Sequence, residues 1–175
     1  MSIGLEHGRA VVIAYQPEWP ILFEQMADAV RSISGDRILS VEHVGSTAVP
    51  GLPAKPILDL LVGVADFEKA LELVPDLASL GFEFRPNEEI EDRHYFRRFN
   101  GNLRTHHLSL ATPDSNHYRN TIIFRDVLRS DRSVAEAYAA LKLDLARRFP
   151  YDRPSYQAGK TDFVLGVVAQ SSRNR

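Results

Sequence analysis

Apolar residues recur along the chain at two periods, and their order outlines a fold. "RAVVIAY" (9–15) is a short apolar, β-branched run that reads as a strand or an extended arm. Pro17 then opens a helix whose inward stripe is Trp19, Leu22, Phe23, Met26 and Val30, at three- and four-residue spacing. "RILSVEHVG" (37–45) alternates as a strand does, with Ile38, Ser40, Glu42 and Val44 on one face and Leu39, Val41 and His43 on the other. Glu42 and His43 are therefore expected on opposite faces. "PILDLLVGV" (56–64) is almost continuously apolar, as a central strand covered on both sides should be.

The pattern then changes. "DFEKALELVPDLASLG" (66–81) fits a helix with Asp66 as N-cap, Gly81 as stop and a bend at Pro75. "FEFR", "HYFRRFN" and "RTHHLSLAT" read as three more strands, with "NGN" (100–102) as the hairpin turn between the last two. Three helical segments follow: 115–130, 134–149 and 157–170, with "FPYDRPSY" (149–156) as the linker before the last. Strands first and most helices last predict an α+β class: a mixed sheet with helices packed on one side and a C-terminal helical part.

At 175 residues the chain is long enough for one self-sufficient core; residues 1–170 are expected to form a single domain and 171–175 a flexible tail. A formal net charge of -2 gives no global attraction to nucleic acid, so any anion site must be local. Absence of cysteine removes disulfides, thiolate metal sites and a cysteine nucleophile. No basic start is followed by an apolar core, and no apolar run approaches the roughly 20 residues that cross a bilayer, so a cytoplasmic protein without membrane attachment is the expectation.

Candidate chemistry clusters in two places. In "VEHVGSTAVPGLPAKPILDLLV" (41–62), Gly45 ends a strand and lets the backbone turn around a bulky anion, while Ser46 and Thr47 offer hydroxyl donors. Conformational need alone would also explain a Gly-Ser turn. Asp59 stands mid-strand between two leucines, where a carboxylate must accept hydrogen bonds, bind metal or pair with a cation such as Lys55. The second place is the hairpin. Tyr95, Arg97 and Phe99 share one strand face, opposite His94, Phe96 and Arg98. Thr105, His107 and Ser109 form a polar face of the next strand. The alternation aims His107 and one arginine into a common cleft, where guanidinium forks suit phosphate oxygens and imidazole can bind metal or move a proton. A solvated sheet face is the competing reading. Arg125 and Arg129 share a helical face, and Lys142 and Lys160 on later helices rank as surface charge.

These segments resemble the GrpB family: "YQPEWPILF", "EHVGSTAVPGLPAKPILDLLVGV", "THHLSL", "FRDVLR" and "YAALKLDLA" follow one another in that family's order across nearly the whole chain. The family is similar in fold to the nucleotidyltransferase, or polymerase-β-like, superfamily, in which a Gly-Ser turn precedes a strand carrying two metal-binding carboxylates separated by one residue. Carried onto this chain, the resemblance implies Gly45 and Ser46 at the turn, Asp59 at the first carboxylate and Leu61 at the second. His107 takes the position of a third. It also implies a nucleotide or CoA-like phosphate ligand held by Gly45, Ser46, Thr47, Lys55, Arg97, Arg98 and Arg125, with Asp59 and His107 as the catalytic and metal-binding pair. The expected cofactor is magnesium, manganese or zinc, imidazole favouring the last two. Metal-dependent nucleotidyl transfer is the sharper form of this expectation. The alternative is a non-catalytic folding-accessory or protein-interaction domain, as in chains where such a domain follows dephospho-CoA kinase. A homodimer is compatible with either, and a nucleic-acid partner is not expected.

Overall fold

A computed structural model describes residues 3–86 and 90–173. Six strands form one sheet: β1 (Leu5–Glu6), β2 (Ser40–Val44), β3 (Leu58–Gly63), β4 (Phe82–Arg85), β5 (His94–Asn100) and β6 (Leu103–Ala111). The order is β2-β3-β6-β5-β4, with β1 beside the start of β6. Only β3 and β6 run parallel; the other pairs are antiparallel. The α+β class read from the sequence is the one observed.

Five helices complete the fold: α1 (Trp19–Ser34), α2 (Val74–Ser79), α3 (Asn116–Ser130), α4 (Arg132–Arg148) and α5 (Arg153–Arg173). On α1, Trp19, Phe23, Ala27 and Val30 repeat every three or four residues and are buried against Val41, Leu58, Leu60, Val62, Phe96, Leu108 and Leu110. Leu77 of α2 joins the same core, so α1 and α2 cover one face of the sheet. The C-terminal helical part lies toward the other face, where Tyr118 and Ile122 of α3 pack on Val44, Leu61 and Ala111. Strand alternation sorts the residues: Leu58, Leu60 and Val62 face α1, and Asp59 and Leu61 face the C-terminal helices.

The structure departs from the sequence reading at three elements. Residues 66–81 do not make one helix. A 3-10 segment, Lys69–Leu73, gives way to α2, and Pro75 sits in the first turn of α2, where its missing N–H is harmless, rather than at a mid-helix bend. Residues 153–156 are not linker: α5 begins at Arg153 with Pro154 in its first turn. The tail expected from 171 onward continues α5 to Arg173, and its last two residues lie outside the described residues. The arm at 9–15 is extended and holds one bridge, Ile13 to Ala54. Among the described residues no helix is long and apolar enough to cross a membrane.

Candidate functional site: a cationic cleft

The sheet face turned toward the C-terminal helices opens into a cleft of about 810 Å³. Its described lining carries Lys55, Arg85, Arg93, Arg97, Lys142, Arg153 and Lys160 against a single carboxylate, Asp59. That imbalance fits an anion and opposes a cation.

Three adjacent strands build the floor. In register, Asp59 on β3 pairs with His107 on β6, which pairs with Arg97 on β5, so all three project from the same face. His107 Nδ1 donates to Asp59 Oδ1 at 2.8 Å. This bond leaves the neutral imidazole's Nε2 as the acceptor, and Nε2 is buried with no protein partner. Burial pushes the Asp59 carboxyl up, but the His107 bond and the charges of His107, Lys55 and His43 outweigh it and hold the group ionised below its ordinary range. Burial likewise lowers His107 against the opposing pull of Asp59.

Gly45 makes the pair's geometry reachable. Its φ is +71°, a conformation that glycine alone adopts freely, and a Cβ there would collide with Asp59 Oδ2. The sequence suggested that this glycine clears space for a ligand; the space is taken first by the Asp59 carboxylate. Ser46 and Thr47 follow in a 3-10 turn, Ser46–Ala48. The Ser46 hydroxyl accepts from Lys142 Nζ at 2.8 Å, and Lys142 also donates to the Pro53 carbonyl. Thr47 lines the cleft, but its hydroxyl is spent on His43 Nε2 at 3.0 Å, and His43 stacks on Phe23 of α1.

The helices supply Lys142, Arg153 and Lys160 from inward stripes. Tyr138 and Lys142 lie one turn apart on α4, with Nζ 4.8 Å from the ring centroid. Tyr156 on α5 is flanked by Lys55 at 4.9 Å and Lys160 at 4.8 Å. Crowding and burial lower these amines. Lys55 falls to about 7 through burial and the charges of Lys160 and Arg153. Lys142 falls to about 7 through burial, Lys160 and Lys55, and Lys160 to about 8 chiefly through burial. Gly159 lets α5 approach α4, since a Cβ there would run into the Leu145 side chain.

Two residues expected at the site are elsewhere. Arg98 points from the opposite face of β5, where its Nε donates to the Leu80 carbonyl at 2.8 Å. Arg125 does not line the cleft: it bonds Glu42 at 2.7 Å, the His43 carbonyl at 3.2 Å and Asp126 at 2.8 Å. With Arg129 bonded to the Ala48 carbonyl, it straps α3 to β2 and fixes the Gly45–Ser46 turn from behind. Lys142, Lys160, Tyr138, Tyr156, Arg93 and Arg153 were not singled out as ligands by sequence reasoning, yet all line the cleft. The i, i+4 pair Tyr138–Lys142 and the stripe Arg153–Tyr156–Lys160 were the available signal.

The arrangement does not fit a divalent metal. Asp59 is engaged by His107, several cations surround the pair, and Leu61, at the second carboxylate position, is fully buried in an apolar cluster with Val44 and Ala111. Among the described residues, no three metal-ligating side chains converge.

Comparison with known proteins identifies the family and the fold. The family model described as "GrpB protein" matches residues 9–170. The chain belongs to the GrpB family. A crystal structure of conserved protein GrpB from Enterococcus faecalis superposes with a TM-score of 0.86 at 33% identity, covering 94% of this chain and 98% of that one. The glutamate-rich protein GrpB of Alkalihalophilus pseudofirmus is 30% identical over 95% of this chain and 98% of its own length. This chain spans about half, 47%, of the UPF0157 protein YqkA of Bacillus subtilis, at 30% identity over 93% of itself. Dephospho-CoA kinase of Mycobacterium bovis matches at 25% identity over 93% of this chain and 46% of the kinase. At fold level the chain is similar to Cid1, whose structure is described with RNA terminal uridylyl transferase activity, at a TM-score of 0.53, 17% identity, and coverage of 78% and 42%. The scaffold is nucleotidyltransferase-like.

Proposed function

We propose that this GrpB-family protein binds a phosphorylated small molecule, a nucleotide or CoA-like compound, in the cationic cleft. One observation carries the reading: among the described residues, seven lysine and arginine side chains face a single carboxylate across about 810 Å³ on a nucleotidyltransferase-like scaffold. The phosphate group is assigned to the end formed by Ser46, Lys142 and Lys55, whose amines need an anion to hold their protons at neutral pH. Asp59 orients His107, whose buried, unpartnered Nε2 is the acceptor left for a ligand hydroxyl or a water. Nucleotidyl transfer is the sharper form of this function. The carboxylate cluster that metal-assisted transfer uses is not assembled by Asp59 and His107, so binding is the reading that the geometry supports best.

A thermal-shift screen tests it. ATP, GTP, CTP, UTP, CoA and dephospho-CoA are each offered at millimolar concentration, with magnesium, manganese, zinc or chelator. A ligand selective for the native state raises Tm by mass action. The expected result is a shift with at least one of them that survives chelator and shrinks in Lys142→Met. No shift with any of them favours the folding-accessory reading, and a shift that demands metal and vanishes in Asp59→Ala restores the metal-site reading.

A further inference from the structure

One end of the cleft is not explained by a single phosphate site. Tyr95 on β5 is flanked by arginines: the Arg93 and Arg97 guanidinium carbons lie 4.5 and 5.3 Å from its ring centroid, and Arg153 approaches it from α5. Behind them is Arg104, which is 0% exposed. Strand alternation alone would turn Arg104 away from the cleft. The register slips by one between Arg98 and Phe99, leaving Thr105 unpaired and setting Arg104 opposite Phe99, on the face of Arg97 and Tyr95. A β-bulge has re-aimed the side chain.

None of these arginines is saturated. All three guanidinium nitrogens of Arg104 lack a hydrogen-bond partner, and the buried Nε atoms of Arg93, Arg97 and Arg153 lack one too. Burial and the neighbouring Arg153 charge push Arg104 down to about 10. Buried guanidinium groups left unpaired are costly, and like charges add to that cost. The nearest carboxylates among the described residues are engaged elsewhere, Asp59 by His107 and Asp92 by the backbone N–H of His117. Among the described residues a counter-charge is missing on the β5 side of the cleft, two strand spacings, about 10 Å, from Asp59 along the sheet. Arg93, Arg97 and Arg153 line the cleft from the β5 side and from α5, whereas Ser46 and Lys142 approach it from the turn after β2 and from α4, an arrangement that suits a ligand with a second anionic group.

We propose that Arg93, Arg97 and Arg153, arranged around Tyr95 and backed by Arg104, form a second phosphate subsite that takes a separate phosphate group of the ligand bound at Ser46 and Lys142. Planar guanidinium forks suit a terminal phosphate at this end, as point-charge ammonium groups suit the other. The preferred ligand is therefore of the nucleoside bisphosphate class, with phosphates at two positions of one nucleoside. This rests on the phosphate-binding reading above.

The test is calorimetric titration of the full chain with adenosine 5′-monophosphate and adenosine 3′,5′-bisphosphate. Binding of the bisphosphate is expected to be tighter by about tenfold or more, the worth of one added charge-assisted contact set. Arg97→Met and Arg153→Gln are each expected to bring the two ligands within about twofold of one another, whereas Lys142→Met weakens both and keeps their ratio. Arg153 opens a helix and Arg97 lies mid-strand, so a folding failure of one variant leaves the other to decide. If the monophosphate binds and the wild type shows no bisphosphate advantage, or the advantage survives both arginine changes, the second subsite is wrong while the first stands. If neither nucleotide binds, the phosphate-binding reading fails and the subsite with it.

Discussion

His106 and His107 are neighbours in β6, and the strand turns them to opposite worlds. His106 is buried beside Phe82 and hydrogen-bonded to Thr105, its pKa driven to about 4 mainly by burial. It is a core side chain whose Nδ1 is hydrogen-bonded. His107, one residue on, lines the cationic cleft, locked to Asp59 and with its buried Nε2 left without a protein partner. The same contrast runs across the sheet: Leu58, Leu60 and Phe96 on one face, Asp59, Tyr95 and Arg97 on the other. One face lowers the free energy of the fold. The other retains crowded cations whose natural partner is a ligand, a cost that binding sites commonly carry.

The contrast is broken most forcibly by exchanging the roles. Phe96→Ala, on the fully buried face, is expected to cost about 3–5 kcal/mol in denaturant unfolding while the surviving folded protein keeps its nucleotide affinity within about twofold. Lys142→Met is the mirror image. It removes a charged donor from Ser46 and should weaken nucleotide binding about 10- to 100-fold by calorimetry, with little change in secondary structure. A Phe96 variant that loses binding as strongly as it loses stability would erase the distinction between the faces.

Gly45→Ala attacks the joint between the two. It forces a side chain into positive φ and into the Asp59 carboxylate, and a loss of about 1–3 kcal/mol is expected, together with an altered His107 Nδ1–H resonance in NMR. An unchanged resonance would mean that the Asp59–His107 bond does not depend on the glycine.

Protonation sharpens the comparison further. Lys55 and Lys142, at about 7, and Lys160, at about 8, bind protons less well folded than in an unfolded chain, where lysine titrates near 10.4. Between pH 7 and about 10 the unfolded state holds more protons, so the ligand-free protein should gain stability as pH rises through that window. Phosphate binding should move the opposite way: it restores those protons, so affinity falls above pH 7 and calorimetry in two buffers reports proton uptake at pH 8. The smallest effect belongs to Lys55→Met, expected to stabilise the ligand-free protein by about 1 kcal/mol at pH 7 and to flatten the pH dependence.

Much of the floor of this cleft was legible in the sequence, because strand alternation is a local rule. It separates Glu42 from His43 and Arg97 from Arg98, and it marks Asp59 as an oddity between leucines. Register is not local. That β3 lies parallel to β6, placing Asp59 on His107, is set by the crossover through α2, β4 and β5. Nor does alternation foresee the bulge at Thr105 that turns Arg104 inward. The helix lysines were misjudged for another reason: an amphipathic pattern shows that a helix has two faces, and a lysine on it reads as the wet one. Lys142 is instead 2% exposed, held over Tyr138 and bonded to Ser46. Residues 149–156 read as a linker, yet Pro154 stands in the first turn of α5, and that reading hid Arg153 and Tyr156 from the stripe that Lys160 completes.

The most direct measurement is a titration of whichever nucleotide or CoA compound gives the largest thermal shift, or of each in turn, into the wild-type chain and into Lys142→Met at pH 7, in the presence of chelator. The cleft as described predicts saturable binding to the wild type that is weakened at least about tenfold by the single substitution. Equal binding to both proteins, or heat from neither, would contradict the assignment of the cationic face as a phosphate site.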